Sequence, residues 1–125
     1  MIHLDTNYLI GLAVSGSSPA QNVDQWLANG EPLSASSLAW AEFLNGPVSL
    51  DEITLVETVI ESNIVAFEKN TAILAAQLFN QGGRRRGSRF DCLIAATAIL
   101  ANAELATENK KDFEPFTPFG LKLKR

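Results

Sequence analysis

Strand-length apolar stretches alternate with helix-length amphipathic ones along almost the whole chain, and that alternation leaves few folds open. Ile2-His3-Leu4, Pro32-Leu33-Ser34-Ala35, Ile64-Val65-Ala66-Phe67 and Glu104-Leu105-Ala106-Thr107 read as short strands. The segments between them have helical spacing and recognisable ends. A short helix over Tyr8 to Val14 follows the first strand. After the Gly16-to-Pro19 turn, Ser18 is the expected cap of a helix reaching Asn29. Ser36 or Ser37 caps the helix carrying Trp40 and Glu42, and Gly46-Pro47 ends it. Ser49-Leu50-Asp51-Glu52 is a capping box opening a helix to about Ser62. Asn70 caps a helix bearing Ile73, Leu74, Leu78 and Phe79. Ser88-Arg89-Phe90-Asp91 reads as a second box, with its helix running through Ala101. Phe116 to Phe119 is expected to add a fifth strand. The pattern predicts an α/β fold: a central parallel sheet of four to five short strands with helices on both faces, in three layers. No repeat or linker divides the 125 residues, so residues 1–125 are expected to form a single domain.

Composition narrows the class of function. Hydrophobic residues make up 46% of the chain and charged ones 19%, which excludes intrinsic disorder. The lone cysteine, Cys92, excludes an internal disulfide and a multi-cysteine zinc site. It lies in an apolar helix and reads as a small buried hydrophobe. No apolar run reaches membrane-spanning length, and a cytoplasmic, membrane-free protein is expected. The net charge of -4 argues against bulk affinity for nucleic acid. Charge distribution matters more than the sum, however, and Arg84, Arg85, Arg86 and Arg89 form a local basic cluster.

Three carboxylates break their local patterns. Asp91 stands in the first turn of the apolar helix Phe90-Asp91-Cys92-Leu93-Ile94-Ala95-Ala96-Thr97-Ala98. Asp5 ends the first buried strand, and Glu42 interrupts Leu38-Ala39-Trp40-Ala41-Glu42-Phe43-Leu44. Asp112, Glu108 and Asn109 follow the fourth strand. In a parallel sheet, ligands gather beyond the carboxyl ends of the strands, and all these residues can reach that edge. Each acid has an ordinary alternative. Asp5 and Asp91 could serve helix ends, Glu42 could face solvent, and Asp112 could be a loop acid. Together they are harder to explain away: two carboxylates about 4 Å apart repel by roughly 4 kcal/mol at an effective dielectric near 20. A cation offsets that cost, and an all-oxygen set suits Mg²⁺ or Mn²⁺ rather than zinc. His3 lies inside a buried strand and reads as a core residue. Trp26 and Trp40 read as core or interface aromatics. Carboxylates, a hard ion and a basic loop point to phosphate-ester chemistry, with the four arginines as candidate phosphate contacts.

Four of these segments, in this order, resemble the PIN domain, and specifically the VapC-type toxin ribonucleases of bacterial toxin–antitoxin pairs. They are Leu4-Asp5-Thr6-Asn7, the Glu42 helix, Asp91 to Ala98, and Leu105 to Phe113. The resemblance implies a PIN-like five-stranded sheet, an Mg²⁺ or Mn²⁺ site and endonucleolytic cleavage of RNA. It also implies a homodimer and a cognate small antitoxin protein. Asp5 and Asp91 would be the principal metal ligands, and Glu42 a ligand or the group orienting the attacking water. Asp112 would be the fourth acid, with Glu108 as its neighbouring alternative. Thr6 and Asn109 would brace the acids. Two other readings compete, besides a protein-binding module with a decayed acidic site, which the presence of all four acids argues against. One is a PIN-type RNA-processing nuclease without an antitoxin. The other, a phospho-receiver module, needs paired acids after strand one and an aspartate after strand three, where this chain has Asp5 alone and Asn70.

Overall fold

The computed structural model describes residues 1–125. In chain order the elements are β1 (Ile2–Leu4), α1 (Thr6–Leu12), α2 (Ser18–Ala28), β2 (Leu33–Ser36), α3 (Ser37–Leu44) and α4 (Leu50–Val59). Then come β3 (Ile64–Val65), α5 (Lys69–Gln81), α6 (Arg89–Leu100), β4 (Glu104–Ala106), α7 (Lys110–Phe113) and β5 (Lys122–Leu123). The five strands form one parallel sheet in the order β3-β2-β1-β4-β5, flanked by helices as the alternation requires. Because β1 is central, Ile2, His3 and Leu4 are all buried, which explains an apolar run with no alternation. The chain steps outward from β1 to β3, then returns to place β4 on the other side of β1. That reversal puts the topological switch point between the carboxyl ends of β1 and β4.

The core holds Ile2, Leu4, Leu9, Ala35, Phe43, Leu105 and Phe113, with Cys92 and the alanines of α6 against them. Cys92 is buried as expected, and burial pushes its thiol pKa up, away from reactivity. His3 is also a core residue. Its Nδ1 bonds Ser34 Oγ, its Nε2 has no partner, and burial pushes its pKa down to about 4. Trp26 stacks on Tyr8 at 5.6 Å and Trp40 tilts against Phe43 at 5.4 Å, both packed against the core. At Gly11 a Cβ would lie 2.5 Å from Pro19 Cγ, so glycine lets α1 and α2 approach closely.

Several expected ends move. Ser17, not Ser18, caps α2, its Oγ accepting from Ala20 N–H at 3.1 Å. Ser36 caps α3, and the Ser49–Glu52 capping box forms as expected. Asn70 lies inside α5, which begins at Lys69; the Glu68 N–H donates to Thr71 Oγ1 at 3.2 Å there. The second box does not form. Gly87, with φ 81°, delivers Ser88 already in helical conformation, and Ser88 Oγ donates back to Arg85 O at 2.7 Å. The fifth strand is not Phe116–Phe119. Pro115 and Pro118 have no N–H to give a ladder, so Glu114–Phe119 forms a 3₁₀ turn that buries Phe116 beside Phe113. The strand falls instead at Lys122–Leu123, and the basic tail is tied to acids. Lys124 Nζ lies 3.1 Å from Glu31, and Arg125 lies 3.0 Å from Glu114.

Candidate active site

The β1–β4 ladder runs one residue past β1, with Asp5 N–H donating to Ala106 O at 2.9 Å. This leaves the Asp5 carboxylate at the switch point, buried and held on both oxygens. Oδ1 accepts from Thr6 N–H at 2.8 Å, which caps α1. Oδ2 accepts from Thr107 Oγ1 at 2.8 Å and, more distantly, from Asn7 Nδ2 at 3.5 Å. Asp5 therefore both caps α1 and lines the cleft at the switch point, because the one geometry serves both. Burial pushes its pKa up, the Thr107 and Thr6 hydrogen bonds pull it down, and Glu42 pushes it up again.

Asp91 is different. It enters from the first turn of α6 and accepts no hydrogen bond that would explain it as a cap. Its pKa is raised to about 6, first by burial and then by the charges of Asp5 and Asp112, with Glu42 adding to them and Arg85 opposing. One carboxylate thus senses the three other predicted acids, which is the convergence the sequence suggested. Asp5, Glu42 and Asp91 line a single cleft of about 350 Å³ with Thr6, Asn7, Ile10, Phe90 and Asn109. Asp112 and Glu108 line an adjoining polar cleft, and Asn109 borders both. Of those two acids only Asp112 acts on Asp91.

The residues fit a hydrated hard cation. No three of the acids are gathered tightly enough to hold an ion among them alone. Mg²⁺ needs no such cage, since it keeps several waters and takes one or two carboxylates. Thr6 Oγ1, buried on the cleft wall with no partner, is free to hydrogen-bond such a water.

The bracing groups differ from those expected. Thr6 contributes its backbone N–H to Asp5, while its hydroxyl does not. Thr107 does most of the work. Beyond its bond to Asp5, its Oγ1 accepts from Asn109 N–H at 3.0 Å and meets Asn7 Nδ2 at 3.4 Å. Asn7 Oδ1 in turn accepts from Glu108 N–H at 3.2 Å, tying the two strand ends together. The sequence does not single out Thr107 or Asn7: Thr107 reads as the last residue of the fourth strand, and Asn7 lies at the start of the first helix. Thr107→Val keeps shape but leaves the buried Asp5 Oδ2 and the partly buried Asn109 N–H short of a partner. It is expected to cost about 1–3 kcal/mol by chemical denaturation. Divalent-ion affinity by calorimetry is expected to fall roughly 10- to 100-fold.

The side chains of the four arginines do not converge on one spot. The Arg84 and Arg89 guanidiniums each sit 4.9 Å from the Phe79 ring centroid and line an apolar groove between α5 and α6. Arg84 also donates to Asn80. Arg86 is exposed. Arg85 alone faces the acids: it lies over Phe116 at 5.3 Å, its charge reaches Asp91, and its buried Nη2 has no partner.

The PIN domain family matches residues 2–115, nearly the whole chain. The chain belongs to the PIN domain family. No curated protein sequence matches it. Among solved structures, it is similar to a toxin–antitoxin complex from Klebsiella pneumoniae, at 26% identity over 91% of each chain, TM-score 0.72. It also shares its fold with VapBC2 from Rickettsia felis bound to a promoter DNA fragment. There the identity is 24%, covering 99% of this chain and 98% of the other, TM-score 0.70. DNA-bound VapBC from Salmonella typhimurium is similar at 20% identity, covering 98% and 96%, TM-score 0.75. This PIN domain contains no helix long and apolar enough to cross a membrane.

Proposed function

We propose that this PIN domain is a divalent-metal-dependent endoribonuclease, the VapC-type toxin of a toxin–antitoxin pair. The observation that carries the reading is Asp91, a carboxylate without a hydrogen-bonding role, held at a raised pKa beside three further acids at the switch point. An acid serving only the helix dipole gains nothing from like charges around it; a carboxylate kept among them fits a bound cation. Asp5 and Asp91 would hold Mg²⁺ or Mn²⁺, which supplies an acidified water and offsets charge on the scissile phosphate. Glu42, entering from α3, orients the attacking water. Asp112 tunes Asp91 from the neighbouring cleft, and Asn109 lies between the two. Arg85 is the one arginine of the cluster placed to meet a phosphate near the acids.

The toxin reading is supported by the family and by the neighbours, which are toxin–antitoxin complexes. A cognate antitoxin, a homodimer and a cytoplasmic location belong to that reading. The test is incubation of purified protein with total RNA and Mg²⁺, followed by mapping of new RNA ends. Discrete ends that appear with Mg²⁺ and vanish with chelator are expected. An RNA pool unchanged by wild type, at protein concentrations where Mg²⁺ binding is measured, would remove the nuclease reading. Co-purification with the product of an adjacent small gene separates a toxin from an RNA-processing nuclease.

A further inference from the structure

The acidic cleft has two walls that neither an ion nor a phosphate requires. Ile10 from α1 is 49% exposed and Phe90 from α6 is 37% exposed, and both line the cleft beside Asp5, Glu42 and Asp91. The Phe90 ring takes part in no aromatic pair and receives no cation. Its two neighbours in sequence are committed elsewhere: Arg89 lies over Phe79, and Asp91 faces the acids. An open aromatic face next to a phosphate-handling site has one natural occupant among the parts of a nucleic acid, the face of a base.

We propose that Phe90 stacks an unpaired nucleobase adjacent to the scissile phosphate, with Ile10 completing the apolar contact. The proposal rests on the nuclease reading above. A base inside a duplex presents its edges and hides its face, so only a strand that can splay a nucleotide fills this wall. Stacking tolerates any base, so Phe90 sets register rather than base identity. The ring would hold the nucleotide while the carboxylate one residue on serves the phosphate, which links position to chemistry within the first turn of α6.

The test uses the full chain and a single-stranded oligonucleotide spanning a mapped cleavage site. Phe90→Ala is expected to raise KM roughly 5- to 100-fold, with kcat within about twofold because the loss is of uniform binding. Phe90→Trp is expected to restore KM and Phe90→Leu is not, since a leucine keeps apolar area without an aromatic face. The indole of Phe90→Trp is expected to be quenched on rapid mixing with the oligonucleotide, beyond any change in Trp26 and Trp40 of the wild type, and not by a duplex of the same sequence. An abasic nucleotide beside the cut is expected to erase the difference between wild type and Phe90→Ala.

A KM for Phe90→Ala within twofold of wild type overturns the proposal, as does full rescue by leucine. Weakening of the antitoxin complex with unchanged RNA kinetics also overturns it and assigns the ring to the protein partner. If wild type releases no RNA ends with Mg²⁺, the nuclease reading itself fails and the stacking role falls with it. Cleavage by wild type with a flat Phe90 series removes the stacking role alone.

Discussion

Asp91→Asn should abolish Mg²⁺-dependent RNA cleavage and, in metal-free buffer near pH 7.5, raise the melting temperature. The two effects have one cause. The Asp91 carboxyl has a folded-state pKa of about 6 against an ordinary value of 3.8. The native protein therefore holds that proton more tightly than the unfolded chain does. For an acid raised in this way, stability falls as pH climbs from about 4 to about 6, and the full penalty persists above that window. Asparagine removes the charge and with it the penalty. Because Asp91 is only half-buried, solvent screens much of the repulsion, and about 1 kcal/mol is a fair expectation. That corresponds to a rise of roughly 4 °C for a chain of this size. The gap between mutant and wild type should close near pH 4, where both side chains are neutral. A mutant that melts below wild type at pH 7.5 without metal would make Asp91 a structural residue. The same change at Asp5 is expected to raise the melting temperature less. Burial pushes that carboxyl's pKa up as well, but it accepts from Thr6 N–H and Thr107 Oγ1, and an amide forfeits part of those bonds made to the charged form.

That contrast shows what the sequence could and could not display. Asp5 and Asp91 were both visible because a carboxylate inside an apolar run has no ordinary reason to be there. Which of them was also a cap was not visible, since the answer depends on where hydroxyls from distant segments point. Thr107 is 102 residues from Asp5, and a threonine ending a strand looks like any β-branched strand residue. The parallel sheet was legible from the spacing of β1, β2, β3 and β4. The fifth strand was not, because Lys122–Leu123 is two residues long while Phe116–Phe119 has the stronger apolar signal. The arginine run read as one basic patch because charge alone carries no direction. Phe79 and Phe116 then drew Arg84, Arg89 and Arg85 to different sides of the α6 N-terminus.

Millimolar Mn²⁺ should raise the melting temperature of the wild type strongly at pH 7.5 and weakly at pH 5.5. An ion bound by the native site and not by the unfolded chain stabilises by mass action, about 2.7 kcal/mol at one hundred times its dissociation constant. That exceeds the roughly 1 kcal/mol expected for the Asp91 charge, so the order of stabilities reverses: Asp91→Asn melts higher without metal, wild type melts higher with it. The pH dependence follows from proton competition at the ligands. With a pKa of about 6, Asp91 is ionised at pH 7.5. At pH 5.5 it is roughly three-quarters protonated, and the ion must displace that proton. Burial and Glu42 push Asp5 the same way, which steepens the loss. Differential scanning fluorimetry of wild type and Asp91→Asn at both pH values, with and without Mn²⁺, reads all of these effects. Equal Mn²⁺ shifts in the two proteins would place the ion somewhere other than Asp91. A wild-type melting curve indifferent to Mn²⁺ at pH 7.5 would remove the cation from the acidic cleft and, with it, the reason for Asp5, Glu42 and Asp91 to meet there.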